Sequence, residues 1–388
     1  RCLSRGLGDV YKRQVITSAA DILNLGLNSS KKNLVIAKDS QSAIQITENL
    51  KDLPNIAYLE NSELLPYDFF SMAPITRAKR ISVLSSFLRS DDFTLVTSIS
   101  TLLSPCPDPN HVTPLNNLRV GDGFIIDKVI ENIISYGYTR EDFVSFPGQY
   151  SLRGSVLDIY LTSGDDPVRI EFFDNKIETL RTFNPESQIA NLKISNLNFL
   201  PSHEYPVSKK SKDLFKLGWR ENFDVFEEDS EIFSKVMNSK HPEGVEIYLP
   251  LFYGKKTTFL SFLNNIDKTF IQNGTTAKAK DFENLISTRY EEYRYDQKRP
   301  LLQPKDLFLK YDEVTTKLSK TISFDIETKT LNESEKILPE LERNEKADLS
   351  TSQMPSDGDL VVHLTHGIGK FVGLKQLKTF VGVSDCLE

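Results

Sequence analysis

Catalytic chemistry leaves recognisable residue patterns, and this chain lacks the common ones. Nucleotide hydrolysis by the usual route needs Gly-x-x-x-x-Gly-Lys-Ser/Thr, whose backbone amides and lysine hold phosphates, and no such run occurs in the 388 residues. Nucleophilic catalysis would need a Gly-x-Ser-x-Gly turn or a cysteine signature with a histidine, and neither is present. The sequence therefore predicts no catalytic residue and no bound cofactor.

A histidine pair near the end of the chain raises the question of a metal. His363 and His366 are three residues apart, and Gly367 and Gly369 follow them. A zinc site needs further ligands at short spacing, and no third ligand stands at such a spacing here. We interpret the two rings as turn and packing residues and predict no metal site.

A strand in the middle of the chain offers a better signal, for protein binding. In the run 168–173, alternation sends three apolar side chains to one face and Arg169, Glu171 and Phe173 to the other. Arginine beside an exposed aromatic ring is typical of a protein-binding hot spot. Alternation alone leaves a second interpretation open, in which Phe173 packs beneath a neighbouring helix.

An arginine on a preceding strand belongs to the same hypothesis. Arg153 is in step with the apolar residues Leu157 and Ile159, and burial of its guanidinium would be costly. Since Gly154 can host a β-bulge, we expect a register shift that turns Arg153 toward the face of Arg169. We predict that Arg169→Ala impairs binding of the protein partner and leaves the melting temperature nearly unchanged.

The elements that must position these residues fall into segments. Apolar runs alternate with helical periodicity at both ends of the main region, which predicts a parallel α/β sheet, and closely spaced strands with turn signals predict an inserted antiparallel α+β module. One of the later strands is expected at Val245–Leu249. The segments are 1–14, interpreted as a non-native scar; 15–116, first part of the α/β domain; 117–200, the α+β module; 201–324, second part of the α/β domain; 325–357, an acidic linker; and 358–388, a β-rich start of another domain.

Composition restricts the partners and the compartment. Lys plus Arg number 47 against 54 Asp plus Glu, so the chain lacks the basic excess of a protein that grips nucleic acid through phosphates. Three scattered cysteines favour a reducing compartment, and no apolar run approaches the ~20 residues that span a bilayer. We expect a cytoplasmic protein without membrane contact.

Several runs resemble the UvrB-like amino-terminal region of the bacterial transcription-repair coupling factor. They are Leu65–Asp68, Tyr150–Asp158, Arg169–Asp174, Glu178–Phe183, Leu200–Pro206 and Gly244–Tyr253. Their order and spacing match from Val15 to Lys320. UvrB shares the early strand and Arg-Gly motifs, so these runs alone do not separate the two families.

The tail separates them. Gly358–Gly373, which includes His363, His366, Gly367 and Gly369, resembles the opening of that family's RNA-polymerase-interaction domain, and UvrB has no such domain. The resemblance implies a degenerate helicase-type parallel sheet, an antiparallel UvrA-binding insert and a small β-barrel, incomplete because its later strands should follow Glu388. The family carries a further globular domain where this chain has only the acidic linker.

The resemblance also implies a function. Members of the family release RNA polymerase stalled at DNA lesions and recruit UvrA for nucleotide excision repair. The UvrA-binding residues would be Arg153, Arg169 and Phe173, and the polymerase contact would be made to the β subunit. ATP and Mg²⁺, and most of the DNA contact, belong to a translocase motor that we expect beyond this chain. The alternatives are a UvrB-type repair helicase or ATPase subunit and, resting on the tail alone, a polymerase-associated regulator.

Overall fold

The computed structural model describes residues 14–16, 30–114, 117–162, 166–318, 320–326, 360–363, 367–370, 374–379 and 382–387. The chain divides into two compact units, Arg1–Thr328 and Lys329–Glu388. Of the predicted scar, only Gln14 is described, and it begins the first strand. Within the described residues, no helix has the length and apolar character that crossing a membrane requires.

The regular elements in this part of the chain are strands and short to medium helices. The strands are β1 Gln14–Ile16, β2 Lys32–Ala37, β3 Ile56–Leu59, β4 Phe93–Ser98, β5 Asn117–Arg119, β6 Thr139–Arg140, β7 Gln149–Arg153, β8 Val156–Ile159, β9 Val168–Phe173, β10 Lys176–Phe183, β11 Ala190–Lys193, β12 Asn196–Asn198, β13 Lys268–Gln272, β14 Thr321–Ile326, β15 Leu360–His363, β16 Gly367–Lys370, β17 Leu374–Thr379 and β18 Gly382–Leu387. The α-helices are α1 Ser40–Asn49, α2 Pro74–Arg89, α3 Ile99–Leu103, α4 Ile126–Ser135, α5 Lys209–Asn222, α6 Glu231–Met237, α7 Leu249–Tyr253, α8 Thr275–Tyr293, α9 Pro304–Leu307 and α10 Tyr311–Thr315.

A six-stranded parallel sheet forms the centre of the first unit, as the sequence predicts. Its order is β1-β14-β13-β2-β4-β3, so strands from both sides of the module share one sheet. Every residue of β2 and β4 is buried, because helices cover both faces of the sheet. Along β2, Leu34 and Ile36 face one hydrophobic core and Val35 and Ala37 face another.

The inserted module is an antiparallel sheet with one helix across its inner face. The order is β11-β10-β9-β8-β7-β6, and only the short β6 runs parallel to its neighbour. Side chains of α4, including Ile133, pack with Leu157, Ile159 and Ile170 in a separate core. This core covers one face of the sheet and leaves the alternate residues of each strand on the other face.

Stacked rings lie where the module joins the α/β domain. His203 stacks on His241 with centroids 3.7 Å apart and ring planes 7° from parallel, and Nε2 of His111 lies 2.9 Å from the carbonyl oxygen of His203. Burial lowers the pKa of His111 and of His241 to about 4. The His203 ring can pack against the backbone of residue 137 because that residue is glycine. A Cβ at Gly137 would stand 2.6 Å from Nδ1 of His203.

The strand expected at Val245–Leu249 is wrong. The segment forms a 3-10 helix, Val245–Tyr248, that runs into α7. Gly244 enters it with φ +69°, and Pro250 in the first turn of α7 has no N–H to give to a strand ladder. A short, fully buried apolar run does not distinguish the two structures by periodicity.

The second unit contains two β-hairpins in its described part. β15 pairs with β16 and β17 pairs with β18, both antiparallel. His363 is opposite Gly367 in the first hairpin, and Gly369 lies two residues further along β16. His366 falls outside the described residues.

Candidate protein-interaction site

The hairpin between β7 and β8 decides where Arg153 points. Gly154 and Ser155 form a two-residue turn in which Gly154 has φ +60°, so Arg153 is paired directly with Val156. A two-residue turn places its flanking residues on the same face and resets the alternation. Arg153 therefore lies on the outer face, as expected, but the predicted bulge at Gly154 is wrong.

A buried carboxylate holds both predicted arginines. Asp158 on β8 is 1% exposed and is the cross-strand partner of Arg169. Arg169 donates Nε to Oδ1 at 2.7 Å and Nη2 to Oδ2 at 2.9 Å, a bidentate pair. Arg153 donates Nη2 to the same Oδ2. The hydrogen bonds to Asp158 raise the pKa of Arg169, although partial burial opposes this.

Aromatic rings flank the two guanidinium groups. The Arg169 guanidinium carbon lies 4.6 Å from the ring centroid of the buried Phe183. The Arg153 guanidinium carbon lies 5.3 Å from the centroid of Phe143, whose side chain is exposed. Such stacking fixes the direction of a guanidinium group and adds a cation–π attraction.

Phe173 is the most exposed part of the predicted site. It closes β9 with 70% of its surface accessible, so the interpretation that it packs beneath a helix is wrong. The preceding Phe172 takes the inner position instead and packs on Phe124 with centroids 4.9 Å apart. Arg169 and Phe173 are four residues apart on one strand, about 13 Å. One molecular partner can span both.

Sequence reasoning missed the residues that organise this face. The sequence analysis assigned no function to Asp158, because the alternation within one strand does not reveal an ion pair with a residue of another strand. Phe143 and Phe183 were also missed, since both lie outside the strand that carried the pattern. The signal that the sequence offers is a lone carboxylate between the inward residues Leu157 and Ile159, which places Asp158 on the outer face but does not name its partner.

The turn between β2 and α1 is closed by one of its own side chains. The turn between β2 and α1 carries Asp39, whose side chain accepts a hydrogen bond from the Ser42 amide at 2.8 Å. Among the described residues, no group of three or more histidine, cysteine, aspartate or glutamate side chains is placed to hold a metal ion.

The fold and the site together define a class of protein. A parallel α/β domain carries an antiparallel insert, and the insert presents arginines and an exposed ring on its outer face, an arrangement consistent with a UvrB-like region. Comparison with known families agrees. Residues 117–205 match the UvrB interaction domain, and residues 356–388 match the CarD-like/TRCF RID domain.

The chain is similar to proteins named transcription-repair-coupling factor. It is 29% identical to the Haemophilus influenzae protein of that name over 333 residues, which is 84% of this chain and 29% of the relative. It is 28% identical to the Escherichia coli protein over 302 residues, 77% of this chain and 26% of the relative. The chain thus spans under a third of the length of these relatives, and the resemblance inferred from its motifs is confirmed.

Proposed function

We propose that the module 117–205 is a docking platform for UvrA, through which a transcription-repair coupling factor recruits excision repair to a stalled RNA polymerase. The single observation that carries this proposal is the outer face of the module. There Arg153 and Arg169 are fixed on one buried carboxylate, and Phe173 stands exposed on the same sheet. The match to the UvrB interaction domain supports it.

The physical roles of the three residues differ. The half-exposed Arg153 has donors left to offer a partner, because Asp158 uses only part of its fork. Arg169 is 19% exposed at its side chain, so its main contribution is to hold Asp158 and the neighbouring strands in place. Phe173 provides apolar area, which a partner pocket would bury as an anchor.

The tail supports a second partner of the same protein. Residues 356–388 match a CarD-like/TRCF RID domain, and β15 to β18 form two hairpins there. We propose that these hairpins open a small β-barrel that binds the β subunit of RNA polymerase. His363, Gly367 and Gly369 lie in its first hairpin, and His366 would belong to the same polymerase-binding segment.

The energy-consuming step is assigned to another part of the whole protein. In this proposal ATP and Mg²⁺ act in a translocase motor, and this chain serves as the adaptor. Measurable ATP turnover by this chain would favour the alternative, a UvrB-type ATPase, which the relatives named above do not favour.

The sharpest test of UvrA docking uses Phe173→Ala. Because the ring is 70% exposed, its loss should leave the melting temperature unchanged and weaken UvrA binding by about 30-fold, a ~2 kcal/mol effect. Titration of purified UvrA onto the immobilised chain measures it. The matched control is Phe226→Ala, which removes an 83% exposed ring from the α/β domain. Equal affinity of Phe173→Ala and the parent would reject the assignment.

A further inference from the structure

A row of cations crosses the outer face of the module at right angles to the strands. The pairing register places Asp158 opposite Arg169, Arg169 opposite Arg181, and Arg181 opposite Lys193. Directly opposed residues of antiparallel strands share one face, and neighbouring strands are about 4.8 Å apart. Three successive cations therefore stand side by side within about 10 Å.

Only one end of this row is neutralised. Asp158 is already paired with Arg169 and Arg153. Arg181 and Lys193 make no hydrogen bond or ion pair with the described side chains, and Nε of Arg181 is shut off from solvent without an acceptor. Like charges placed directly opposite each other destabilise a sheet, and a buried donor without an acceptor adds to that cost. Among the described residues, Glu171 also lies on this face beside Arg169, but Arg181 and Lys193 have no paired carboxylate.

The charge of residues 117–205 favours an acidic protein segment over a nucleic acid as the ligand of this row. Residues 117–205 carry 8 Lys and Arg against 13 Asp and Glu, yet Arg153, Arg169, Arg181 and Lys193 all lie on this one face. A surface that binds nucleic acid is typically surrounded by further basic residues, whereas this one is set in an acidic module. The exposed Phe173 on the same face suits an apolar side chain of a protein partner.

We propose that the row Arg169, Arg181 and Lys193 recognises an acidic segment of the partner protein, with carboxylates that meet Arg181 and Lys193 when the partner docks. This inference rests on the proposed docking of UvrA and specifies which side chains of the partner would contact the module. Arg181 thereby becomes a residue that determines specificity, beyond Arg153, Arg169 and Phe173. The partner segment carries two or more Asp or Glu residues next to an apolar anchor.

Charge reversal at Arg181 tests the inference without risk to the fold. Arg181→Glu places a carboxylate between Arg169 and Lys193, so the melting temperature should not fall. At about 50 mM NaCl, UvrA binding should weaken at least about tenfold, and the deficit should shrink at about 300 mM as salt screens the charges. Lys193→Glu should act in the same direction. The control Lys128→Glu reverses an exposed cation on α4 of the same module and should bind like the parent.

The outcomes separate the two proposals. If Phe173→Ala loses UvrA binding while Arg181→Glu and Lys193→Glu bind like the parent, the cationic row is overturned and UvrA docking stands. If the parent chain does not bind UvrA, both proposals fall. Anisotropy titrations of labelled oligoglutamate and oligothymidylate onto parent and Arg181→Glu add a direct readout. Preference of the parent for oligoglutamate, reduced by Arg181→Glu, supports an acidic protein segment; preference for oligothymidylate overturns it.

Discussion

Arg169 and Arg153 contact the same carboxylate, but their removal should have very different effects on stability. Arg169→Ala deletes a bidentate pair and leaves Asp158, 1% exposed, with only the half-exposed Arg153. Removing one partner of a buried ion pair commonly costs ~3–5 kcal/mol, and since Arg153 remains we expect about 3 kcal/mol. Arg153→Ala leaves the bidentate pair intact, so we expect at most about 1 kcal/mol.

Urea unfolding followed by far-ultraviolet circular dichroism, with both variants and the parent at equal concentration, measures this difference. A lower midpoint with an unchanged slope would report a change in stability alone. Equal midpoints for Arg153→Ala and Arg169→Ala would refute the asymmetry of the pair. The same result decides how binding data are interpreted, because the sequence alone predicted an unchanged melting temperature for Arg169→Ala. In the structure that expectation suits Arg153 and not Arg169.

Two further predictions concern the junction of module and α/β domain. His111 and His241 have pKa values of about 4 when folded and about 6.5 when unfolded, so between these values the unfolded chain binds more protons and stability falls as the pH drops from 6.5 toward 4. The loss of unfolding free energy should reach about 3 kcal/mol per ring. Urea midpoints should therefore fall less steeply between pH 6.5 and 4 in His241→Gln than in the parent. Parallel pH profiles of the two proteins would show that protonation of His241 does not cause the loss. Gly137→Ala combines φ +82° with a Cβ 2.6 Å from the His203 ring, so it should lower the stability by more than about 2 kcal/mol. The control Gly121→Ala has φ +89° but open space around the new Cβ, and it should lower the stability by about 1 kcal/mol. Thermal melting measures both. Equal melting temperatures of the two glycine variants would show that the ring contact carries no strain.

The faces of the module could be predicted from sequence because strand alternation is local. The run 168–173 needs only its own six residues to assign Ile170 and Phe173 to opposite faces, and the structure agrees. Whether Phe173 is exposed or covered by a helix could not be decided from alternation. The position of Arg153 depended on a turn. Counting through Gly154 placed it with Leu157 and Ile159, and only the cost of burying a guanidinium, with a supposed bulge, indicated the correct face. Local pattern rules end where the chain reverses direction, because each turn resets the alternation.

The partners of these residues could not be predicted in the same way. Asp158 meets Arg169 through the pairing of two strands, and that register depends on the whole sheet. Lys193 meets Arg181 across yet another strand pair, so the cationic row is invisible in a linear sequence. The misassigned strand at Val245–Leu249 has a related cause, since burial from all sides removes the periodicity that distinguishes strand from helix.

The parallel sheet and the module divide their tasks along physical lines. Open α/β sheets usually bind ligands at the carboxyl ends of their strands, beside a change in strand order. Here β2 lies between β13 and β4, and the loop after β2 is tied down, because the Lys38 amide donates to the buried Gln272 side chain of β13 at 2.9 Å. Asp39 in the same loop uses its carboxylate to cap α1. These hydrogen bonds hold the loop after β2 rigidly against the sheet. The insert, in contrast, presents Arg153, Arg181 and Phe173 on its outer face. Binding variants should therefore concentrate on the outer face of β7 to β11, and variants in the loop after β2 should act on stability.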